Sequence, residues 1–526
     1  MTTTLLAPPA ATGEVEAGPL PLEPLNTPVP ALYERAQAFC FAWSAYLLLH
    51  HSMVYYSWFR LTERGQRDLT GLLIGLGVWL LGATALFRRT VPWFIALLVG
   101  QLVYELPTLP KTANHTFLTI CINITMLATI AVHALRTGGR ALRDPAPFFP
   151  QLSALVRLEI LVMYFFVVLH KLNTDYFNPA YSCATTLYAQ IVDRYPVFPS
   201  GAWTDPLCIY GAIGCEALIP LLLIFRATRL WGVGLGLLFH LLLSPHDNPF
   251  IFSFSALLYA AYLLFLPADV LGEMAATWSQ LLLRLRRRWM WFAIAGGGAA
   301  VTIVGLRLFA RGFVERTDLI DHAHLFIAAG VRLVWNLLAL FNIYAFARAV
   351  WICRGPRGRR SIENADAAEP SFFRPGLATP LLIFPLLVTF NGFCPYLGLK
   401  TESAFAMYAN LRTEGARNNH LFMPRLNLAN YQDDLVEIVG SSDRGLVSLQ
   451  RDGYGLTWFE FRRNKLSRVR SEKFWVTFKR NGVEQTLRYA DHKADPAFGP
   501  IPWYQRRLLY FRDVQVEPSS PQHCGH

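Results

Sequence analysis

The chain has 526 residues, of which 53% are hydrophobic and only 16% are charged, and its mean hydropathy is +0.30. Soluble globular proteins of this length rarely have so few charges, so the composition predicts an integral membrane protein. The formal net charge of +12 does not indicate a nucleic-acid partner, because the basic residues occur in short clusters between apolar segments, as they do in membrane-facing loops.

The first 36 residues are rich in Pro, Ala and Thr, and we predict that 1–36 is a disordered cytoplasmic tail. Apolar windows follow that are long enough, or nearly so, to cross about 30 Å of hydrocarbon as helices. They predict about eleven spans, and two of the windows are short for a bilayer. The windows are 39–59, 69–87, 91–106, 115–135, 152–172, 207–225, 230–243, 249–266, 289–309, 325–353 and 377–396.

Arginine clusters in alternate loops predict the orientation, since Lys and Arg favour the cytoplasmic side of short loops. Such clusters occur at 88–89, 136–143, 226–229, 284–288 and 354–360, whereas the cluster at 60–67 favours the opposite orientation. With an odd number of spans the N-terminus is cytoplasmic and the C-terminal region extracytoplasmic. The expected location is a bacterial cell membrane.

The composition changes after the last span, where charges become frequent and period-2 segments appear at 455–461 and 474–478. Asn481-Gly482 predicts a type I′ hairpin turn between two strands. The predicted fold is therefore an all-α polytopic membrane helix bundle with a small C-terminal β-rich soluble domain. Its predicted parts are the bundle at 37–270, additional transmembrane helices at 271–400, a membrane-surface helix at 401–424 and the β-rich domain at 425–526. A substrate-contacting loop is the alternative for 401–424.

The eight cysteines have no CxxC spacing, and no histidine pair has the spacing and nearby acid of a helical zinc site, so we predict no metal. A disulfide between Cys183 and another outward cysteine is one interpretation. Buried thiols that pack as small hydrophobic side chains are the other, and it suits most of the cysteines.

An apolar helix runs directly into His170, Lys171, Asn173 and Asp175. Ionisable groups at membrane depth are costly and usually functional. Burial favours the neutral form of an amine, which would make Lys171 a usable general base. The alternative is that Lys171 extends to the headgroups and anchors the helix end.

Two further groups of polar residues are candidate site residues. Asn114 and His115 stand at the entry of a helix, where capping is their common role. His240 lies within an apolar run, where a single histidine is more often a hydrogen-bonded structural residue.

Together these segments resemble the HTTM family, the horizontally transferred transmembrane domain shared with vitamin K-dependent γ-glutamyl carboxylase. The segment 170–173, His-Lys-Leu-Asn, is similar to a Lys-Lys-Leu-Asp segment whose second lysine is the catalytic base. The Asn-His pair at 114–115 is similar to an Asn-Asn-His before a membrane helix. The Phe-His at 239–240, followed by Phe-Ser at 252–253, is similar to a Phe-His segment before the next span.

The resemblance implies that Lys171 deprotonates a reduced naphthoquinone, such as reduced vitamin K, whose reaction with dioxygen yields a base for carboxylation of a glutamyl side chain with carbon dioxide. It implies that His115 is a hydrogen-bonding or proton-handling partner. It also implies that Asn114, His170, Asn173 and His240 line the site. His170 and Asn173 depart from the family's Lys and Asp, and the chain lacks room for the large outer region that grips a propeptide.

The expected partners are membrane lipids, a quinone, and a protein or small-molecule substrate. The rival hypothesis is a non-catalytic membrane scaffold or lipid-handling protein that retains the same helical frame. A secondary transporter is disfavoured because the sequence has no inverted repeat.

Overall fold

Long helices make up most of the chain in a computed structural model. The structure describes residues 29–62, 69–246, 248–287, 316–354, 380–517 and 519–524. Its membrane part contains α1 (Val29–Thr62), α2 (Leu69–Arg88), α3 (Val91–Glu105), α4 (Asn114–Arg136), α5 (Phe149–Lys171), α6 (Cys183–Arg194), α7 (Thr204–Ile224), α8 (Arg229–Leu242), α9 (Pro249–Tyr262), α10 (Ala268–Arg287), α11 (Arg316–Arg354) and α12 (Ile383–Leu397).

Ten of the predicted windows coincide with helices, and the window 289–309 lies outside the described residues. Helix α1 begins at Val29, inside the segment expected to be a disordered tail, and residues 1–28 also lie outside the described part. Within that part, six helices are long and apolar enough to cross a membrane, and three shorter apolar helices accompany them. The protein is thus a helical membrane protein, and the total of about eleven spans stays a prediction.

Helix α5 lies at the centre of the bundle. It packs against α4, α7 and α12. Of its most apolar 18-residue window, 67% is buried inside the protein, compared with 17% for α7. The residues at the C-terminal end of α5 are therefore surrounded mainly by protein rather than by lipid.

The C-terminal part contains the antiparallel sheet that the sequence predicts. Its strands are β1 (Leu435–Ser441), β2 (Tyr454–Thr457), β3 (Trp475–Arg480), β4 (Val483–Arg488) and β5 (Val514–Gln515), in the order β4-β3-β1-β2-β5. The hairpin turn is confirmed, since Asn481 and Gly482 both have positive φ, at 51° and 76°. Short helices flank the sheet: α13 (Arg444–Arg451), α14 (Trp458–Asn464), α15 (Tyr489–His492) and α16 (Trp503–Leu508).

The strand expected over 455–461 is wrong in its second half. Strand β2 ends at Thr457, whose side chain accepts a hydrogen bond from the Glu460 backbone N–H and caps α14. The buried Glu460 carboxylate then binds Arg463 one turn later, at 2.5 Å. These two side-chain contacts favour a helical turn where the alternating pattern alone indicates a strand.

The membrane-surface helix expected over 401–424 is also wrong, because this segment contains no helix and much of it is buried. Five of its non-glycine residues have left-handed backbone conformations: Ser403, Phe405, Tyr408, Asn410 and Ala416. Its hydrogen bonds go to distant residues, and Asn114 Oδ1 accepts from the Phe405 N–H at 2.6 Å. We call 401–424 the cap segment, because it lies between the C-terminal end of α5 and the C-terminal sheet, and we call this end of the bundle the capped end.

Candidate functional site

The Lys171 side chain is only 6% exposed and lies at the last residue of α5. Its Nζ is 2.7 Å from Oε1 and 2.5 Å from Oε2 of Glu216, a residue of α7. The ring of Tyr176 lies 5.9 Å from the same nitrogen. The amine is therefore bound to a carboxyl group inside the protein and does not reach out as an anchor.

The Lys171–Glu216 pair has a direct chemical consequence. The two groups share one proton. When Glu216 holds it, the Lys171 amine is neutral, and when Lys171 holds it, an ammonium group faces a carboxylate. Because both groups are removed from water, each depends on the other to avoid an uncompensated charge.

His170 and Asn173 flank Lys171 but are used by the fold. His170 Nε2 is 3.1 Å from the carbonyl oxygen of Gly392, and its ring packs against Phe166. Asn173 Nδ2 donates to the carbonyl oxygens of His170 and Ala409, at 2.8 and 2.6 Å. Asn173 thus ties the end of α5 to the cap segment, as Asn114 does for α4.

His115 is 3% exposed and lies in the first turn of α4. Its ring centroid is 5.7 Å from that of His50, 6.0 Å from Phe250 and 6.3 Å from Phe254. Among the described residues its Nε2 has no hydrogen-bond partner. A buried ring nitrogen without a partner is costly, so this atom is a point where a ligand could bond.

His240 lies in a short hydrogen-bonded series. Its Nε2 is 3.2 Å from the Tyr164 hydroxyl, which is 2.5 Å from the Tyr262 hydroxyl, and its Nδ1 is 3.2 Å from Ser255 Oγ. Tyr164 precedes Lys171 by seven residues, two turns of α5, and so points to the same face of that helix.

The structure brings some predicted residues together and separates others. Phe254 lies between His115 and His240, with ring centroids 6.3 and 5.4 Å away. Within the described part of the chain, no hydrogen bond or ring contact joins His115 to Lys171. The histidines and the lysine pair are thus neighbouring groups at the capped end rather than one contact cluster.

Sequence reasoning missed a buried polar cluster beside His115. His50 Nε2 is 3.1 Å from Glu105 Oε1, and Gln101 Nε2 donates to the same oxygen at 3.2 Å. His51 Nε2 in turn contacts Gln101 Oε1. The signal available in the sequence was the His50-His51 pair inside an apolar window.

Lys400 is a second buried lysine at the capped end, 7% exposed, and sequence reasoning gave it no role. Its Nζ donates to the Ser403 carbonyl at 3.4 Å and lies 4.2 Å from the centroid of the Phe117 ring. Burial lowers the pKa of the Lys400 amine from its ordinary value.

The cap segment is joined to the C-terminal domain by a buried ion pair. Arg512 Nε is 3.4 Å from Glu402 Oε1, and its guanidinium also donates to the Leu411 and Thr401 carbonyls. Burial raises the pKa of the Glu402 carboxyl to about 7, although the Arg512 charge opposes this shift. A disulfide between Cys183 and Cys524 attaches the end of the chain to the start of α6.

A cavity of the described structure has a lining that includes neither Lys171 nor Glu216. It has a volume of ≈ 510 Å³ and is lined by α1, α9, α10 and α11, with Tyr33 and Arg89 among its residues. Phe39 of α1 contacts Phe149, the first residue of α5, with ring centroids 6.3 Å apart. Lys171 is 22 residues further along that helix, or about 33 Å from Phe149. The cavity begins at this far end of the bundle and extends along α1 from Tyr33 to Leu49, next to His50.

No group of three His, Cys, Asp or Glu side chains in the described ranges is arranged to hold a metal ion. Known proteins add nothing to this description: no protein-family model matches the chain, no curated protein matches it, and no solved structure matches it.

Proposed function

We propose that this chain is an HTTM-type integral membrane enzyme that uses a reduced naphthoquinone, and that Lys171 and Glu216 are its acid–base pair. The observation that carries the proposal is the Lys171 amine, 6% exposed and 2.5 Å from a carboxyl oxygen at the centre of the capped end. An intramembrane ionisable pair of this kind is costly, and it is most often found where protons or ions are handled.

Each residue has a role in this proposal. Lys171, in its neutral form, accepts a proton from a quinol hydroxyl, while Glu216 holds or releases the proton that sets the state of the amine. His115 offers the unpartnered Nε2 as a hydrogen bond for a quinol oxygen, which is the fit expected of a residue that holds such a group. His240 lines the site with Tyr164, and Asn114, His170 and Asn173 position the cap segment.

A bound quinol would supply, together with dioxygen, the strong base that removes a carbon-bound proton before carbon dioxide is captured. The protein's contribution is to exclude water from the Lys171 amine and to control, through Glu216, whether that amine is protonated. The buried cap segment serves this purpose because it covers the end of α5. The substrate would be a protein or a small molecule.

The capped end would face the extracytoplasmic side, with the N-terminus in the cytoplasm. The Cys183–Cys524 disulfide supports this orientation, because disulfides persist in oxidising compartments. The arginines at 136–143 and 226–229 support it too, since they follow helices that end away from the capped end.

The test is formation of vitamin K epoxide by purified protein supplied with reduced vitamin K, dioxygen and carbon dioxide. We expect the parent to form epoxide. The rate of Lys171→Met should be at least about 100-fold lower, which is the usual contribution of a general base. Lys493→Met, which alters an exposed lysine of the C-terminal domain, is the matched control and keeps the parent rate. Equal rates in parent and Lys171→Met would remove Lys171 from the chemistry. Folded parent without epoxide would reject the quinol-dependent activity.

A lipid-handling or scaffold function is the second candidate, and the far-end cavity favours it. Its size falls within the range of ligand sites, and small apolar side chains such as Ala42, Ala45 and Ala275 line it. Mass spectrometry of lipids that copurify with the parent and with Ala45→Trp distinguishes the two. A defined lipid that is lost only in the variant, with no epoxide from the parent, would support this second function.

A further inference from the structure

A serine, a histidine and a glutamate from three different helices form a hydrogen-bonded series inside the bundle. Ser253 Oγ of α9 is 2.8 Å from Nδ1 of His50 in α1, and Nε2 of that ring is 3.1 Å from Glu105 Oε1 at the end of α3. The three residues are 1%, 2% and 4% exposed, respectively. A nucleophile bonded to a base, which is in turn oriented by an acid, is the arrangement that activates serine.

The hydrogen bonds fix the direction of proton transfer. A carboxylate can only accept hydrogen bonds, so as a carboxylate Glu105 accepts from Gln101 Nε2 and from the Nε2–H of His50. With the ring proton on Nε2, Nδ1 carries a lone pair and accepts the Ser253 hydroxyl proton. Among the described residues, Ser253 Oγ has no other acceptor for that proton.

A second serine two residues along the same helix shows the inactive version of this contact. Ser255 Oγ is 3.2 Å from His240 Nδ1, but its hydroxyl donates to the Ile251 carbonyl at 2.9 Å. The other nitrogen of His240 bonds to the Tyr164 hydroxyl rather than to a carboxylate. The Ser255 hydroxyl proton is therefore not available to His240, and no carboxylate orients that histidine. The Ser253 hydroxyl proton is available to His50, which Glu105 orients.

The path from the lipid to the Ser253, His50 and Glu105 side chains is short. Phe250, one turn before Ser253 on α9, is 47% exposed on the surface of the bundle, and its ring is 6.0 Å from that of His115. The ring of His115 packs in turn on His50, at 5.7 Å. Two aromatic rings, Phe250 and His115, therefore separate the polar cluster from the acyl-chain region of the membrane.

We propose that Ser253, His50 and Glu105 form a second catalytic site, which cleaves carboxylic esters that carry an apolar chain and reach it from the membrane. Ser253 Oγ attacks the ester carbonyl carbon while its proton passes to His50 Nδ1. The C–O bond then breaks, and the departing alkoxide takes that proton to leave as an alcohol. Water attacks the acyl-serine by the same route, which releases the carboxylic acid and returns a proton to Ser253. The activity needs no quinol, so it stands or falls independently of the epoxide assay.

The test is covalent labelling of the full-length protein in lipid nanodiscs by an alkyl fluorophosphonate that carries a fluorescent reporter. We expect one adduct per chain, located on Ser253 by peptide mass spectrometry, and none in Ser253→Ala. Ser255→Ala, the matched control, labels at the parent rate. His50→Gln slows labelling by about 100-fold, as loss of a general base does. Size-exclusion elution and the thermal midpoint confirm that each variant is folded.

The same variants are then tested for hydrolysis of p-nitrophenyl esters of increasing acyl length. We expect release of p-nitrophenol to need Ser253 and to rise with chain length. The proposal is overturned by a folded parent that stays unlabelled while an added serine hydrolase in the same nanodiscs is labelled. It is equally overturned by labelling of Ser253→Ala at the parent rate.

Discussion

The two ends of the helix bundle differ in how tightly their side chains pack. At the capped end, several buried charged and polar side chains bind groups from other helices, as Lys171 of α5 binds Glu216 of α7. At the far end, the wall of a cavity of ≈ 510 Å³ includes several alanines, such as Ala42 and Ala275, beside larger side chains such as Tyr33 and Arg35. A buried charge is tolerated only while its partner remains, whereas an alanine-lined wall accepts changes of size. The capped end should therefore be sensitive to single substitutions and the far end tolerant.

The largest effect is expected from removal of the Lys171 amine. Lys171→Met leaves the Glu216 carboxyl without its partner in a site that is only 13% exposed. We expect the free energy of unfolding to fall by about 3–5 kcal/mol, the usual cost of breaking a buried pair. Denaturant-induced unfolding in detergent measures it. A loss below about 1 kcal/mol, the value of an exposed pair, would mean that the contact is not buried.

A pH effect is expected at the junction between the cap segment and the C-terminal domain. The pKa of Glu402 is about 7 in the folded protein, raised by burial from an ordinary value of 4.5. Through this group the folded state binds more protons than the unfolded state between these values, so the contribution of Glu402 to stability is largest below pH 4.5 and is lost as pH rises to 7.

The stability lost over this interval is about 3 kcal/mol for the single group. We expect Glu402→Gln to flatten the dependence, measured as the thermal midpoint at pH 5, 6 and 7. Glu437→Gln, on a partly exposed position of β1, is the control and should keep the parent slope. A Glu402→Gln slope equal to that of the parent would show that another group titrates.

Close packing at the capped end gives a smaller effect. A Cβ added to Gly392 of α12 would lie 2.2 Å from the Phe166 ring, whereas one added to Gly77 of α2 would meet nothing within 4 Å. Gly392→Ala should cost about 1–3 kcal/mol of unfolding free energy through overpacking. Gly77→Ala should be neutral or stabilising by up to about 1 kcal/mol. Equal effects of the two substitutions would contradict the close contact between α5 and α12.

The smallest effect is expected at the far end. Ala42→Leu adds carbon atoms that the cavity can hold, so we expect the free energy of unfolding to rise by about 0.5 kcal/mol. Thermal unfolding in detergent measures the change. A loss as large as that of Lys171→Met would show that the cavity wall is tightly packed and that the two ends do not differ.

The sequence was informative where the structure depends on local pattern. Window length and hydropathy located the helices, and Asn481-Gly482 predicted the turn between β3 and β4. The alternating apolar pattern at 458–461 predicted a strand where the structure has α14. The contacts of Thr457 and Glu460 that favour this helix produce no periodic pattern in the sequence.

The candidate site was predictable only in part. A lysine at the end of an apolar helix marks a costly group, but nothing in the sequence indicates that Glu216, 45 residues later, is its partner. Ser253, His50 and Glu105 are on three helices, so no local motif joins them. The sequence predicts a surface helix for the cap segment because it does not reveal that polar side chains such as Asn410 and Asn419 bond to distant parts of the chain, Gln522 and Asp175.

The functional account rests on direct contact between Lys171 and Glu216, and a double-mutant cycle measures that contact most directly. Unfolding free energies are compared for the parent, Lys171→Met, Glu216→Gln and the double variant. We predict that the double variant loses less unfolding free energy than the two single variants lose in sum. The difference, which is the coupling energy, should be at least about 2 kcal/mol. Losses that simply add would show that the two groups do not interact, and the acid–base pair would have to be abandoned.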